Sequence, residues 1–319
     1  MPLTINEIIA ASKRISPYTV RTPLLRMYSL DDYLGCEVYA KAECMQTTGS
    51  FKLRGAMNKL LSLSEDELQN GIIAASSGNH GKAIAYASRL LGIRSTIVLP
   101  YGAAKVKVDT IRGWGAEIIQ CDVAERFELA EKLCRERRAA LVPPFNDEAI
   151  MAGQGTTGLE IMEQCPDLDA VIVPTSGGGL IGGVSTAIKS LSPRTKVFGA
   201  EPASLPRYST SLKAGHPMRV EKKQTIADGL VTLIPGEICY PYVEAHTDGF
   251  ADVDEEYILK GVKLMITEGK LLCEPSAAIT LGAVLQGLLP LKKTDKVCFL
   301  ISGGSVSLEQ LHLLENIML

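Results

Sequence analysis

Four short stretches carry residue types able to do chemistry. Lys52 lies in TTGSFKLRGA (47–56). A lysine in such company usually serves as a surface charge, but desolvation would lower its pKa and free the amine for Schiff-base chemistry. SSGNHG (76–81) follows the apolar run GIIAA (71–75) and precedes KAIAYASRLLGI. Small residues at a helix start leave backbone N–H groups free for an anion such as a carboxylate. The same stretch also reads as an ordinary turn capped by Asn79. SGGGLIGG (176–183) follows AVIVPT (170–175). Three successive glycines let the backbone close on a phosphate, with a helix dipole behind it. Gly177, Gly179 and Gly182 also spell GxGxxG, and Glu201 lies 19 residues past Gly182 (201 − 182). That is the spacing of a dinucleotide fingerprint. ISGGS (301–305) follows the last apolar run, and its Ser302 offers a neutral hydroxyl or a helix N-cap, which Ser305 could equally supply.

The elements around these stretches alternate. Val- and Ile-rich runs at 71–75, 95–99, 116–121, 170–175, 196–200 and 296–302 suit strands buried on both faces of a parallel sheet. Amphipathic stretches such as ERFELAEKLCRERR (125–138) lie between them, which predicts an α/β fold with right-handed crossovers. Ligands in such sheets sit beyond the carboxyl ends of strands, where three of the four stretches fall. There is no internal repeat, and no flexible linker marks a domain boundary.

Composition narrows the classes. The 319 residues are 46% hydrophobic and 22% charged, enough for a substantial core. A net charge of −3 favours neither a nucleic-acid partner nor an anionic membrane. No apolar run reaches the roughly 18 residues of a membrane span. The start, MPLTINEIIAASKRI, predicts a helix capped by Thr4 or Asn6 rather than a signal peptide. Eight scattered cysteines, none in a CxxC pair, read as reduced thiols and give the expectation of a cytoplasmic protein.

Taken together, TGSFKLRGA, SSGNHG, AGQGT (152–156), SGGGLIGG, IADGL (226–230) and SGGS resemble the fold-type II pyridoxal-phosphate enzymes, in particular the serine/threonine dehydratase and serine racemase group. The resemblance runs from about residue 15 to residue 310. It implies a tryptophan synthase β-like α/β fold with the cofactor between two domains. The larger domain would comprise 1–70 and 147–319, and the smaller, mobile one 71–146. It implies pyridoxal 5′-phosphate as cofactor, with Lys52 as its Schiff-base lysine and Phe51 against the ring. Asn79 would bond the ring's 3′-oxygen, and Ser302 would contact the pyridine nitrogen. Ser176, Gly177, Gly178, Gly179 and Leu180 would bind the phosphate, with Gly229 also at the cofactor. Ser76, Ser77, Asn79 and His80 would surround a substrate carboxylate. In this family the glycine loop holds the cofactor phosphate, which displaces the dinucleotide reading. The implied reaction is β-elimination of a hydroxy-amino acid such as serine, threonine or 3-hydroxyaspartate to a 2-oxo acid and ammonia. The implied partners are a small amino-acid substrate and a second copy of the chain, as a homodimer.

Several residues leave that reading open. Racemases of the group carry serine at the position of Ser77, to move a proton on the face opposite the lysine, so racemisation through Lys52 and Ser77 is the alternative. A turn serine could instead bond only its own backbone. Arg126 matches an arginine near the substrate site in serine racemase-like proteins. It could pair with a second substrate carboxylate or remain a solvated helix residue beside Glu125. His80 could contact substrate or only cap its turn. In EPASLPR (201–207), where relatives bind a divalent cation, Arg207 stands where an aspartate is expected. The expectation is therefore no metal and a Glu201–Arg207 salt bridge. Pro143 stands where serine racemases usually have histidine. The end of the chain soon after SGGS suggests no C-terminal regulatory domain. β-Replacement and a catalytically silent metabolite-binding protein are the remaining alternatives.

Overall fold

The computed structural model describes residues 2–319. Among the described residues ten strands form two sheets. In chain order they are β1 (Leu24–Arg26), β2 (Glu37–Lys41), β3 (Ile72–Ala75), β4 (Ser95–Pro100) and β5 (Glu117–Cys121), then β6 (Ala140–Leu141), β7 (Ala170–Pro174), β8 (Lys196–Pro202), β9 (Gly249–Val253) and β10 (Lys296–Leu300). All six Val- and Ile-rich runs are strands. The smaller sheet has the order β5-β4-β3-β6 and is wholly parallel. The larger has the order β1-β2-β10-β7-β8-β9, parallel except for the antiparallel β1–β2 pair.

Helices cover both sheets, as continuous apolar strands require. Residues 126–137 form the helix read from ERFELAEKLCRERR, and Thr4 caps the first helix by accepting from the Glu7 N–H. The AGQGT stretch lies in the Glu148–Gln164 helix, packed between the helices Lys52–Ser62 and Gly179–Leu191. A side chain at Gly153 would come within 2.5 Å of the Arg54 carbonyl, and one at Gly155 within 2.9 Å of the Gly183 carbonyl. The glycines thus bring the backbone of the lysine helix and that of the glycine-loop helix close to one central helix. Among the described residues no helix is long and apolar enough to cross a membrane. All eight cysteines are free thiols.

Candidate active site

A cavity of about 420 Å³ opens between the two sheets, a size typical of small-ligand sites. The carboxyl ends of β3, β4, β7 and β10 converge on it through Ser76, Pro100, Thr175 and Ser302. Every candidate residue named above (Phe51, Lys52, Ser76, Ser77, Asn79, His80, Arg126, Ser176 to Leu180, Gly229 and Ser302) lines this cavity.

Lys52 begins its helix, and the chain before it is fastened to the loop after β10. Phe51 N–H donates to the Ser302 carbonyl at 3.0 Å, and Ser50 bridges Gly303. Lys52 Nζ donates to the Pro144 carbonyl at 2.6 Å, and no carboxylate lies within ion-pair distance among the described residues. Burial therefore dominates and lowers the amine from 10.5 to about 8.

The glycine loop is built as an anion cradle. The N–H groups of Gly177 to Ile181 have no hydrogen-bond partner among the described residues, and no side chain caps the Gly179–Leu191 helix. Orphan donors at the start of a helix favour an anion. The Gly177 carbonyl accepts from Tyr208 Oη at 3.1 Å and Gly236 N–H at 2.9 Å, which fixes that peptide. Gly178 has φ +101°, and a side chain there would meet Tyr208 Oη at 1.9 Å. Tyr208 is itself stacked on Phe250, with ring centroids 5.2 Å apart. An unsatisfied anion cradle, a desolvated lysine and the buried Ser302 on one cavity fit pyridoxal phosphate.

The 76–80 segment forms a second donor-rich wall. Ser76 Oγ accepts from Gly78 N–H at 3.2 Å, so Ser76 serves the turn. The Ser77 hydroxyl has no partner among the described residues, which removes the reading of Ser77 as a purely local backbone bond. Asn79 does not cap its helix. Its amide crosses the cleft to Glu274 and Ser305. His80 Nε2 lies 3.0 Å from the Val142 carbonyl, so Nε2 carries the proton and Nδ1 is the acceptor. Burial holds this imidazole neutral, with a pKa down at about 3. The next helix to the C-terminus is capped by Ser307, so neither Ser302 nor Ser305 is the N-cap that the sequence also allowed.

Arg126 and Lys107 line the outer part of the cavity. Arg126 is half-buried over the Phe127 ring at 4.6 Å and has no carboxylate partner among the described residues. Lys107 reaches Asp228 across the cleft at 3.6 Å. Glu201 does not line the cavity, contrary to the ribose-binding role of a dinucleotide fingerprint. It is fully buried, accepts from the N–H groups of Tyr208 and Ser209 at 3.0 and 2.8 Å, and lies 3.7 Å from Arg207. Arg207 also donates to the Leu205 and Thr175 carbonyls, at 2.6 and 3.4 Å. The expected salt bridge is present, and the guanidinium sits among oxygens.

Glu274, Lys107, Asp228, Pro144 and Phe145 complete the cavity wall without having been singled out in the sequence. Glu274 carried a faint signal: it is the one charge in LLCEPSAAITLGAVL (271–285).

Known proteins resemble this chain over nearly its full length. The family model described as "Pyridoxal-phosphate dependent enzyme" matches residues 15–303. L-threonine ammonia-lyase of Thermotoga maritima is 39% identical over 316 residues, covering 98% of this chain and 78% of the relative. L-threo-3-hydroxyaspartate ammonia-lyase of Saccharomyces cerevisiae is 36% identical, covering 96% of this chain and 94% of the relative. The structure of maize serine racemase superposes with a TM-score of 0.93 at 35% identity, covering 98% of this chain and 97% of that one. A fold shared over nearly its full length and a cradle that fits the cofactor give one answer: this chain belongs to the family of pyridoxal-phosphate dependent enzymes, with their fold-type II architecture.

Proposed function

We propose that this chain is an ammonia-lyase that removes the β-hydroxyl and the amino group of a small hydroxy-amino acid, leaving a 2-oxo acid and ammonia. The observation that carries this is Lys52, whose desolvated amine lies on the same cavity as the glycine-loop anion cradle and the donor wall at 76–80. When bound, pyridoxal phosphate supplies an electron sink for charge developing at the substrate's Cα. Lys52 holds the cofactor. Its Nζ, when free, would take the Cα proton, which an amine lowered to about 8 can do close to neutrality. The N–H groups of Gly177 to Ile181 hold the phosphate. Those of Ser77, Asn79 and His80, also without partners among the described residues, orient the substrate carboxylate. Neutral His80 adds no charge beside the carboxylate, and its Nε2–H is held by the Val142 carbonyl.

Segment 71–146 would move as a unit over residues 1–70 and 147–319, excluding water when it closes. A homodimer in the cytoplasm fits the family resemblance and the eight free thiols. Arg126 supports a substrate with a second carboxylate, such as 3-hydroxyaspartate, because a half-buried guanidinium without a carboxylate gains most from one.

Racemisation is the second reading, favoured by the unpartnered hydroxyl of Ser77 on the cavity wall. The test is oxo-acid and ammonia release from the purified holoenzyme with L- and D-serine, L-threonine and the 3-hydroxyaspartate isomers, with chiral analysis of recovered substrate. Oxo acid without inversion supports the lyase. Inverted substrate in excess of oxo acid overturns it in favour of the racemase.

A further inference from the structure

Glu274 is a carboxylate with only 5% exposure on the cavity wall, and among the described residues no cation lies within ion-pair distance. A buried carboxylate needs hydrogen bonds in place of water. It receives them from Asn79 Nδ2 at 3.0 and 3.1 Å and from Ser305 N–H at 3.0 Å. Ser305 Oγ donates to Asn79 Oδ1 at 2.8 Å, and Lys82 Nζ donates to Ser305 Oγ at 2.5 Å. Lys82 and Asn79 belong to the helix that follows β3 of the smaller sheet, whereas Glu274 and Ser305 belong to loops beside the larger.

With Lys82 as an ammonium and Glu274 as a carboxylate, the direction of every bond in this network is set, although burial raises the Glu274 carboxyl and lowers the Lys82 amine. A lysine ammonium has only donors, so Ser305 Oγ must accept from it and give its own proton to Asn79. A carboxylate has only acceptors, so Asn79 must present its NH2 side to Glu274. The orientation of an amide is normally ambiguous; here the ammonium at one end and the carboxylate at the other leave a single choice. Asn79 Nδ2 meets both Glu274 oxygens, and Asn79 also lines the cavity.

We propose that Lys82, Ser305 and Glu274 are positioning residues that lock the Asn79 amide across the cleft so that it offers a donor, never an acceptor, to the bound cofactor. This rests on the reading of Asn79 as a cofactor contact. Without the lock the amide could rotate and set its oxygen against the cofactor, or the helix could swing away with the smaller sheet.

The experiment compares holoenzymes carrying Lys82→Met, Glu274→Gln, the Lys82→Met/Glu274→Gln pair and Asn79→Ala. The readouts are the visible absorption spectrum of the bound cofactor, the Kd for pyridoxal phosphate and the melting temperature of the apoprotein. Each outer variant should move the spectrum in the same direction as Asn79→Ala and weaken retention about three- to tenfold, the worth of one hydrogen bond. The pair should cost no more than the worse single change, because one chain is broken once at either end. An unaltered spectrum in both outer variants, or additive losses in the pair, overturns the proposal even if the apoprotein melts earlier. An unaltered spectrum in Asn79→Ala instead overturns the underlying reading of Asn79, so the two failures are distinguishable.

Discussion

The lowered pKa of Lys52 has a direct kinetic consequence for cofactor capture. Only the neutral amine attacks the aldehyde of pyridoxal phosphate. With the amine at about 8, roughly one molecule in eleven is neutral at pH 7; at 10.5 the fraction is about one in three thousand. Burial should therefore accelerate capture about 300-fold at neutral pH, relative to an amine of ordinary pKa and equal reactivity. The assay mixes apoprotein with pyridoxal phosphate between about pH 6.5 and 9.5 and follows the visible colour of the complex. A free alkylamine serves as the reference, cancelling titration of the cofactor itself. The protein rate, taken relative to the fraction of cofactor in each state, should rise about tenfold per pH unit and level off near 8, while the reference keeps climbing. Two neighbours of Lys52 stay outside that window, with His80 lowered by burial to about 3 and Cys239 raised by burial to about 12. The same shift has a sign for stability. The folded amine binds its proton less tightly than the unfolded one, so the apoprotein should gain stability as pH rises from about 8 towards 10.5. A capture rate that climbs without a plateau to pH 9.5 would refute the claim that desolvation activates Lys52.

Ser77→Ala should leave oxo-acid release intact and abolish any inversion of recovered substrate, read by chiral chromatography; normal inversion in the variant removes Ser77 as a proton carrier. Arg126→Gln should raise KM for 3-hydroxyaspartate about ten- to a hundredfold, the worth of a charge-assisted hydrogen bond, while KM for serine stays within about twofold. Equal changes for both substrates would assign Arg126 a structural role. Gly178→Ala puts a methyl 1.9 Å from Tyr208 Oη at φ +101°, so cofactor retention should fall well beyond the ~1–2 kcal/mol of left-handed strain. Adding Tyr208→Phe removes that oxygen and should recover part of the loss in the same dialysis assay. Arg207→Met leaves Glu201 buried without its cation, so the variant should unfold at lower denaturant and lose more stability as pH rises above about 7, where the Glu201 carboxyl ionises.

The sequence was most legible where burial is continuous. Runs such as AVIVPT and KVCFLIS are buried on both faces and read directly as strands. β2, EVYAK, was not singled out because it carries charges at both ends, and its buried Lys41 needs Glu160 far along the chain. β9, GFADV, holds a glycine and an aspartate, and its place in the sheet comes from pairing with β8. In the site, the glycine loop and SSGNHG were visible because backbone donors at helix starts need small residues in sequence. Glu274, Lys107 and Asp228 were not, because each acts through a partner on the far side of the cleft. No local pattern records a contact closed only by tertiary folding. Isolated residues were also ambiguous in kind: Ser302, Ser305 and Asn79 each read as possible caps, and only their three-dimensional partners set that reading aside.

The lysine helix shows why one short motif carries so much of the site. Lys52 and Arg54 are two residues apart, about 200° around a helix, so they leave it on opposite sides. Lys52 faces the cavity. Arg54 enters a buried cluster, where it donates to Glu43 through Nε and Nη2, both at 2.8 Å, and to Glu160 at 2.7 and 2.8 Å. Lys41 completes the set against Glu160 at 2.6 Å, so two cations face two carboxylates. Such a cluster adds little net stability, since desolvation offsets most of the attraction. Its planar, doubly forked geometry nevertheless tolerates little rotation of the helix. Lys52 stands at the first residue of the same helix, its amine held against the Pro144 carbonyl at 2.6 Å. FKLR thus places a cavity-facing lysine and a buried, doubly paired arginine on opposite sides of one helix start.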